Sequence, residues 1–295
     1  MEDFALNNFN DNIENKFKEL YYFLYSNSSA SKASSILDDI IKVMFLILQS
    51  KNNEVCYEKL QIEDIEKTLS TNYDFFKKNN ISAKPSSDIK SIHKIFNILK
   101  SISIDTITAH ELGSLYQALI GPRARGEKGQ FFTSRSLCRA LVELCEVKEG
   151  DNILDPACGT GGFLTETIAY ADKKNINVNI TGIEKDKDIY LISKLSQVIL
   201  SKDINLYNKD SLHAFSTKDK VLTEESFDVI LTNPPFGGKI KIKEKNLLEN
   251  FSFSQKSYKA NNHELKNFKH IPTDPQILFL ELCLSLLKVG DEVLA

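Results

Sequence analysis

Two patterns of hydrophobic and polar residues divide the chain. From about residue 10 to residue 115, apolar residues recur at helical spacing, most strongly in Ser35–Gln49 and again in 62–79 and 88–100. Beyond Gly121–Gly129, short apolar runs alternate with helix-period segments. We therefore predict a helical domain over residues 1–115 and a second domain over residues 116–295.

Strands and helices alternate along the second domain. We predict strands at 152–156, 179–184, 205–208, 227–232 and 292–295, and helices at 163–172, 187–200 and 275–287. Alternation at this spacing is typical of a doubly wound parallel α/β sheet. Such sheets bind ligands at the carboxyl ends of their strands, beside the point where the strand order reverses.

A glycine-rich segment, Asp155-Pro-Ala-Cys-Gly-Thr-Gly-Gly162, directly follows the first predicted strand. Glycines allow a tight turn and let the backbone approach a ligand without interference from a Cβ atom. The segment lacks the GK[ST] ending of a phosphate-binding P-loop and is not GxGxxG. A tight strand-to-helix connection would also explain it. The candidate binding residues here are Asp155, Pro156, Ala157, Gly159, Thr160, Gly161 and Gly162.

Two further acidic residues end the next two strands. Glu184 lies about twenty residues beyond the glycines, where a carboxylate can accept hydrogen bonds from both hydroxyls of a ribose. Asp210 ends the third strand, where it can accept from an exocyclic amine of adenine. Together with Asp155, these strand ends predict an adenosine-containing ligand without phosphates.

The fourth predicted strand ends at Asn233-Pro-Pro-Phe236. The lone pair of a conjugated amine such as that of adenine is delocalised, which makes the nitrogen a poor nucleophile. The Asn233 side-chain oxygen and the Pro234 carbonyl can accept both N–H bonds of such an amine, and this favours a nitrogen that attacks a methyl group. Pro234 and Pro235 fix the turn in advance, and Phe236 offers a stacking face for a base turned out of a duplex.

Composition narrows the class of protein. The chain has 295 residues, of which 42% are hydrophobic and 26% charged, as is ordinary for a soluble globular protein. No apolar run reaches transmembrane length and no signal-peptide pattern opens the chain, so we expect a cytoplasmic protein without a membrane partner. The five cysteines form no CxxC pair, so neither a metal site nor a disulfide framework is predicted.

Charge is uneven along the chain. The net charge of −3 argues against a nucleic-acid binder with a basic surface all round. The segment Gly237–His270, however, carries eight lysines against three glutamates. It can neutralise phosphates of a nucleic acid, although a solvated loop is the alternative interpretation.

Taken in order, these motifs resemble those of the N6-adenine DNA methylases, specifically the modification subunits of type I restriction–modification systems and their single-chain relatives. The resemblance covers about residues 110–295 and rests on Gly129-Gln-Phe-Phe-Thr133, Asp155–Phe163, Gly182-Ile-Glu-Lys-Asp186, Asp210-Ser-Leu and Asn233–Gly237. It implies a Rossmann-like methyltransferase fold that uses S-adenosylmethionine to methylate N6 of adenine in DNA. The helical region before it resembles the family's N-terminal helical domain.

The resemblance also implies site residues and partners. In this family the Gly-x-Phe-Phe-Thr segment closes over the methionine end of the cofactor, which implies cofactor contacts for Phe131, Phe132 and Thr133. The tetrapeptide of Asn233, Pro234, Pro235 and Phe236 would be catalytic. DNA, a specificity subunit and the restriction subunit of the same system are the expected partners.

The resemblance is incomplete at the carboxyl end. The family's seven-stranded sheet continues past a fifth strand, whereas this sequence ends four residues into the predicted one. The preceding Lys288-Val-Gly-Asp also departs from the family's usual Lys-Pro-Gly-Gly turn. We therefore expect a sheet with an incomplete edge and a chain that is weakly active or inactive alone, as a fragment, a split-gene product or a decayed copy.

Other functions share the same motif chemistry. Sites of this type also methylate N4 of cytosine, guanine amines of ribosomal RNA and glutamine amides of release factors. The Gly-Gln-Phe-Phe-Thr segment and the lysines after residue 237 favour DNA. A non-catalytic assembly subunit is the alternative from a different class. Methylation at C5 of cytosine is excluded because it needs a thiolate nucleophile, and Cys158 lies within the glycine turn instead.

Overall fold

The computed structural model describes the chain in separate stretches. These are residues 15–17, 19–20, 22–24, 26, 33–50, 63, 67, 84–102, 108–113, 133–200, 204–235, 241–259 and 265–294. The helix predicted at 62–79, together with Phe131, Phe132 and Phe236, therefore lies outside the described residues, apart from residues 63 and 67.

The described part forms the following elements in chain order. They are α1 (Ala33–Ser50), α2 (Ile89–Lys100), α3 (Arg135–Leu144), β1 (Asn152–Asp155), α4 (Gly162–Lys174), β2 (Asn179–Glu184), α5 (Lys187–Leu200), β3 (Asn205–Asn208), α6 (Ser211–Ser216), β4 (Phe227–Leu231), α7 (Lys245–Leu248), β5 (Gln255–Lys259), β6 (Leu265–His270), α8 (Pro275–Leu286) and β7 (Leu287–Leu294).

Five parallel strands form the main sheet in the order β3-β2-β1-β4-β7. The chain first builds outward from β1 to β3 and then returns to the other side of β1, so the strand order reverses between β1 and β4. Leu154 of β1 pairs with Ile230 of β4, which brings the residues that follow these two strands to one edge. This is the doubly wound α/β sheet that the sequence predicts.

One face of the sheet is covered by the later helices. Leu154 and Ile230 pack there with residues of α6, α7 and α8, and the apolar side chains of this cluster are buried. Phe251, fully buried, packs against Phe215 with ring centroids 5.4 Å apart. Burial of this apolar area holds the carboxyl ends of β1 and β4 in fixed positions.

The α4 helix approaches the sheet closely at Gly182 of β2. A Cβ atom on Gly182 would lie 2.6 Å from Leu164 Cδ1 and 2.7 Å from Leu206 Cδ2. Any larger residue would force these two leucine side chains to shift. Because α4 begins at the glycine turn, this contact helps to set the height of the turn above the sheet.

The predicted fifth strand begins earlier than the sequence indicates. We expected a helix over 275–287 and a strand from residue 292, whereas α8 ends at Leu286 and β7 starts at Leu287. Phe227 pairs with Leu287 and Val229 with Glu292, so the register shifts between these pairs. The extra residues in β7 include the Lys288-Val-Gly-Asp segment, which the sequence marks as a turn.

The lysine-rich segment contains regular structure. Within Gly237–His270 the chain forms α7 and an antiparallel hairpin of β5 and β6. Leu247 and Leu248 of α7 are buried in the core of the sheet domain. The alternative interpretation of this segment as only a solvated loop is therefore wrong for α7, which its buried leucines anchor, and for β5 and β6, which pair as strands.

The chain divides into two compact units. One comprises residues 126–190 and 204–295, and the other comprises residues 1–125 and 191–203. In the second of these, α1 and α2 pack through buried residues such as Ile40, Ile95 and Phe96. Asp39 of α1 accepts the backbone N–H groups of Ser86 (3.0 Å) and Ser87 (2.7 Å).

The helix predicted at 88–100 starts as its sequence indicates. Asp88 caps α2 by accepting the N–H of Ser91 at 3.0 Å. Within the described stretches, no helix is both long and apolar enough to cross a membrane.

Candidate functional site

The glycine turn after β1 leaves open space where a ligand can lie. Gly159 has φ +56° and Gly161 has φ +90°, a backbone region that favours glycine. Apart from Gly159 and the residues on either side of it, no atom lies within 4 Å of the position that a Cβ of Gly159 would occupy. The turn is fixed to β2 because Cys158 N–H donates to the Ile183 carbonyl at 3.0 Å. A flat or curved ligand can therefore rest against the backbone at Gly159.

The other predicted residues of the turn mainly support it. Asp155, Pro156 and Thr160 are buried, whereas Ala157 and Gly159 are half-buried. The Pro156 carbonyl accepts a hydrogen bond from Ser211 Oγ at 2.5 Å, which joins the turn to α6. Gly162 begins α4, and a Cβ there would lie 3.3 Å from the sulfur of Cys138. The surface open to a ligand is thus the Ala157–Gly159 side of the turn.

Asp155 lies beneath this turn with almost no exposed surface. Burial raises the pKa of its carboxyl group to about 7, and the nearby charge of Glu184 adds to the rise. The backbone N–H of Ala157, which donates to Asp155 Oδ1 at 3.1 Å, opposes it. Asp155 therefore shapes the turn from within.

Glu184 ends β2 and faces the turn. Its Oε2 accepts the N–H of Gly159 at 3.0 Å, and its Oε1 accepts the N–H of Asp186 at 2.6 Å. Burial raises the pKa of this carboxyl group, while the hydrogen bonds from Asp186 and Gly159 favour the ionised form. Each carboxylate oxygen can accept more than one hydrogen bond, so both can also accept the hydroxyls of a ribose.

Asp210 follows β3 and already has several partners. Its Oδ1 caps α6 by accepting the N–H groups of Leu212 (3.1 Å) and His213 (3.2 Å). Its Oδ2 pairs with the ammonium of Lys185 at 2.7 Å, and Lys185 is largely exposed. An adenine amine at this position would share Oδ2 with Lys185.

The Asn233-Pro-Pro segment follows β4 at the same edge of the sheet. Asn233 and Pro234 are half-buried, and Pro235 is exposed. Asn233 Nδ2 donates a hydrogen bond to Thr133 Oγ1 at 3.0 Å, although the two residues lie 100 positions apart. The structure therefore brings together two segments that the sequence assigns to different roles.

An ion-pair group next to Thr133 was not predicted from the sequence. Glu166 of α4 is buried and pairs with Arg135 Nε at 2.6 Å and Arg139 Nε at 3.1 Å, both on α3. The two arginines lie one helical turn apart, which allows them to meet the same carboxylate. The spacing of the two arginines is the only sign of this ion-pair group in the sequence. The spacing does not identify Glu166 as their partner.

The edge of the sheet thus combines an open turn, a carboxylate and an oriented amide. The thiols of Cys138 and Cys283 are buried, and burial raises the pKa of each to about 12, so neither serves as a nucleophile near neutral pH. In the described stretches, no three His, Cys, Asp or Glu side chains gather as a metal-binding group. The arrangement suits chemistry in which the protein binds and orients two reactants.

Comparison with known proteins points to one family. A family model described as N-6 DNA methylase matches residues 107–273. The methylase subunit of the type I restriction enzyme EcoEI from Escherichia coli is 29% identical over 160 residues, which cover 50% of this chain and 32% of that subunit. A tRNA (guanine(10)-N2)-dimethyltransferase from Methanocaldococcus jannaschii is 36% identical over 104 residues, 34% of this chain and 28% of that protein. The chain thus spans about a third or less of the length of these relatives.

A solved structure shares the fold. A modification subunit assigned to a type I restriction enzyme from Vibrio vulnificus YJ016 superposes with a TM-score of 0.61 at 19% identity, and the match covers 96% of this chain and 69% of that one. The likeness at this level of identity concerns the fold.

Proposed function

The chain belongs to the N-6 DNA methylase family, whose model matches more than half of it, and on that premise we propose that it transfers a methyl group from S-adenosylmethionine to N6 of adenine in DNA. The observation that carries the proposal is the position of Asn233. Its amide lies at the carboxyl end of β4, next to the end of β1, with Nδ2 bound by Thr133. That hydrogen bond leaves Oδ1 available as an acceptor.

Asn233 and Pro234 would act on the amine of the target base. An amine conjugated to an aromatic ring needs its lone pair localised before it can attack. Asn233 Oδ1 and the Pro234 carbonyl would each accept one N–H, which favours a tetrahedral nitrogen with its lone pair directed away from these oxygens. The two prolines hold the acceptors in place before the substrate arrives, so little reorganisation is needed. Stacking of the base on Phe236 stays a prediction.

The strand ends would hold the cofactor. The ribose hydroxyls would lie on Glu184, and the methionine part would cross the open backbone at Gly159, where a side chain would obstruct it. Asp210 would accept the adenine amine of the cofactor alongside Lys185. When bound, S-adenosylmethionine supplies a methyl group on a positively charged sulfur. Cofactor contacts by Phe131 and Phe132 stay predictions.

Duplex DNA is the proposed substrate, with partner subunits of a restriction–modification system. The E. coli relative is a subunit of a type I restriction enzyme, which supports a specificity subunit and a restriction subunit as partners. Exposed lysines follow the catalytic loop and continue on β6, where they can meet phosphates: Lys241, Lys243, Lys245 and Lys269. The division into a helical domain over 1–115 and a catalytic domain over 116–295 also stays a proposal.

The test identifies the methylated atom. The chain is incubated with duplex DNA and S-adenosylmethionine labelled in its methyl group, and the nucleosides are separated after digestion. We expect label in N6-methyladenine, and we expect Asn233→Ala to slow transfer about 10²–10³-fold while it still binds cofactor. The tRNA-modifying relative makes RNA the informative control substrate. Label in N4-methylcytosine, or label in RNA and none in DNA, would overturn the assignment.

A further inference from the structure

The hydrogen bond between Asn233 and Thr133 defines how the amide of Asn233 lies in the structure. A primary amide has one acceptor atom and one donor group, and a half-turn about its last side-chain bond exchanges them. Asn233 Nδ2 donates to Thr133 Oγ1 at 3.0 Å, so Oδ1 faces the other way. We propose that Thr133 is a positioning residue that keeps Asn233 Oδ1 turned towards the target amine, an inference that rests on the proposed function.

This role differs from the one that the motif resemblance implies. The resemblance places Thr133 with Phe131 and Phe132 on the methionine end of the cofactor. In the structure the Thr133 hydroxyl contacts Asn233. If Asn233 turned over, its NH₂ group would face the N–H groups of the substrate and accept neither of them. Loss of the Thr133 hydroxyl therefore affects the transfer step and leaves cofactor binding nearly unchanged.

Thr133 is itself held by the helices next to the glycine turn. Ser134, the next residue, caps α3 by accepting the N–H of Leu137 at 3.4 Å. Arg135 and Arg139 then fasten α3 to the buried Glu166 of α4. Since α4 starts at the glycine turn, the backbone that would seat the cofactor also determines where the hydroxyl meets Asn233. The same connected group of helices and turn would thus position both reactants.

Two substitutions isolate the hydroxyl. Thr133→Val keeps the shape of the side chain and removes the oxygen, whereas Thr133→Ser keeps the oxygen. In the full chain labelled with ¹⁵N-asparagine, the side-chain NH₂ signals of Asn233 are identified by their loss in Asn233→Asp. We expect these signals to shift in Thr133→Val and to stay near their original positions in Thr133→Ser. Signals that are unchanged in Thr133→Val would overturn the contact, whether or not the protein methylates DNA.

Single-turnover transfer to DNA at saturating cofactor then tests the consequence. We expect Thr133→Val to be about tenfold slower, the worth of one hydrogen bond, with a Kd for S-adenosylmethionine within about twofold of wild type. Thr133→Ser should recover most of the rate. A weakened Kd with an unchanged transfer rate would instead make Thr133 a cofactor ligand. If the wild-type chain labels no DNA, the proposed function fails, and the asparagine signals still decide the contact.

Discussion

At the scale of single residues, Asp155 shows how the turn is built. Its carboxyl group is enclosed at the end of β1, and burial raises its pKa to about 7 from the ordinary 3.8. Between these two values the unfolded chain has released a proton that the folded chain still holds. The contribution of Asp155 to stability therefore decreases as the pH rises from about 4 to about 7, and stays constant above that range.

Asp155→Asn removes this dependence while it keeps an oxygen for the Ala157 N–H. We expect the variant to gain free energy of unfolding relative to wild type as the pH rises through that window, by at most about 4 kcal/mol. Urea denaturation at about pH 4.5, 6 and 7.5 measures the difference. A difference that is the same at all three pH values would show that Asp155 ionises normally in the folded protein.

A comparison of two glycines with similar backbone conformations distinguishes the effect of backbone strain from the effect of ligand contact. Gly150 (φ +84°) and Gly159 (φ +56°) both have open space at the position of a Cβ, but only Gly159 lies in the proposed cofactor seat. We expect Gly150→Ala and Gly159→Ala each to lower the free energy of unfolding by about 1 kcal/mol, since both place alanine at positive φ. Only Gly159→Ala should also weaken S-adenosylmethionine binding, by about tenfold or more in calorimetric titration. Equal affinities of the two variants for S-adenosylmethionine would show that Gly159 does not contact the cofactor.

At the scale of elements, α3 depends on one buried carboxylate. Glu166→Gln leaves Arg135 and Arg139 without an ionised partner, although both arginines are partly exposed and so partly screened by water. We expect a loss of about 2 kcal/mol in the free energy of unfolding. Glu143→Gln, at an exposed position of α3, is the matched control and should lie within about 0.5 kcal/mol of wild type. Equal losses in the two variants would refute the anchoring role of Glu166.

The strands that carry the site were the predictable elements. Apolar runs before Asp155, Glu184, Asp210 and Asn233 mark buried parallel strands, and these form close to their expected bounds. The sequence does not reveal that the hydroxyl of Thr133 meets Asn233 across 100 residues, because no local pattern encodes that contact. The hairpin of β5 and β6 was missed for a related reason. The lysines of this segment suggest a solvent-exposed loop. The pairing of the two strands depends instead on backbone hydrogen bonds that many sequences can make.

The close packing at Gly182 could not be predicted from the sequence either. Its glycine is required by side chains from α4 and β3, two elements that adjoin it only in the folded sheet. The start of β7 at Leu287 has the same kind of cause, since pairing with Phe227 of β4 extends the strand beyond its apolar run. In each case tertiary contact overrides the local preference of the sequence.

At the scale of the whole molecule, strand order brings the two segments of the proposed site together. Because β1 and β4 are neighbours, the glycine turn and the Asn233-Pro-Pro loop meet at the point where the sheet reverses. Placement of a methyl donor beside an acceptor amine in this way would be sufficient for a transfer that needs no protein nucleophile. Membership of the N-6 DNA methylase family agrees with this arrangement.

The most direct test of this account is the structure of the chain crystallised with S-adenosylhomocysteine, the product of the cofactor. We predict that the ribose hydroxyls bind Glu184, that the sulfur lies over the backbone at Gly159, and that Asn233 Oδ1 points towards the space beside the sulfur. A ligand bound away from the glycine turn, or an Asn233 amide directed into the protein interior in the complex, would contradict it.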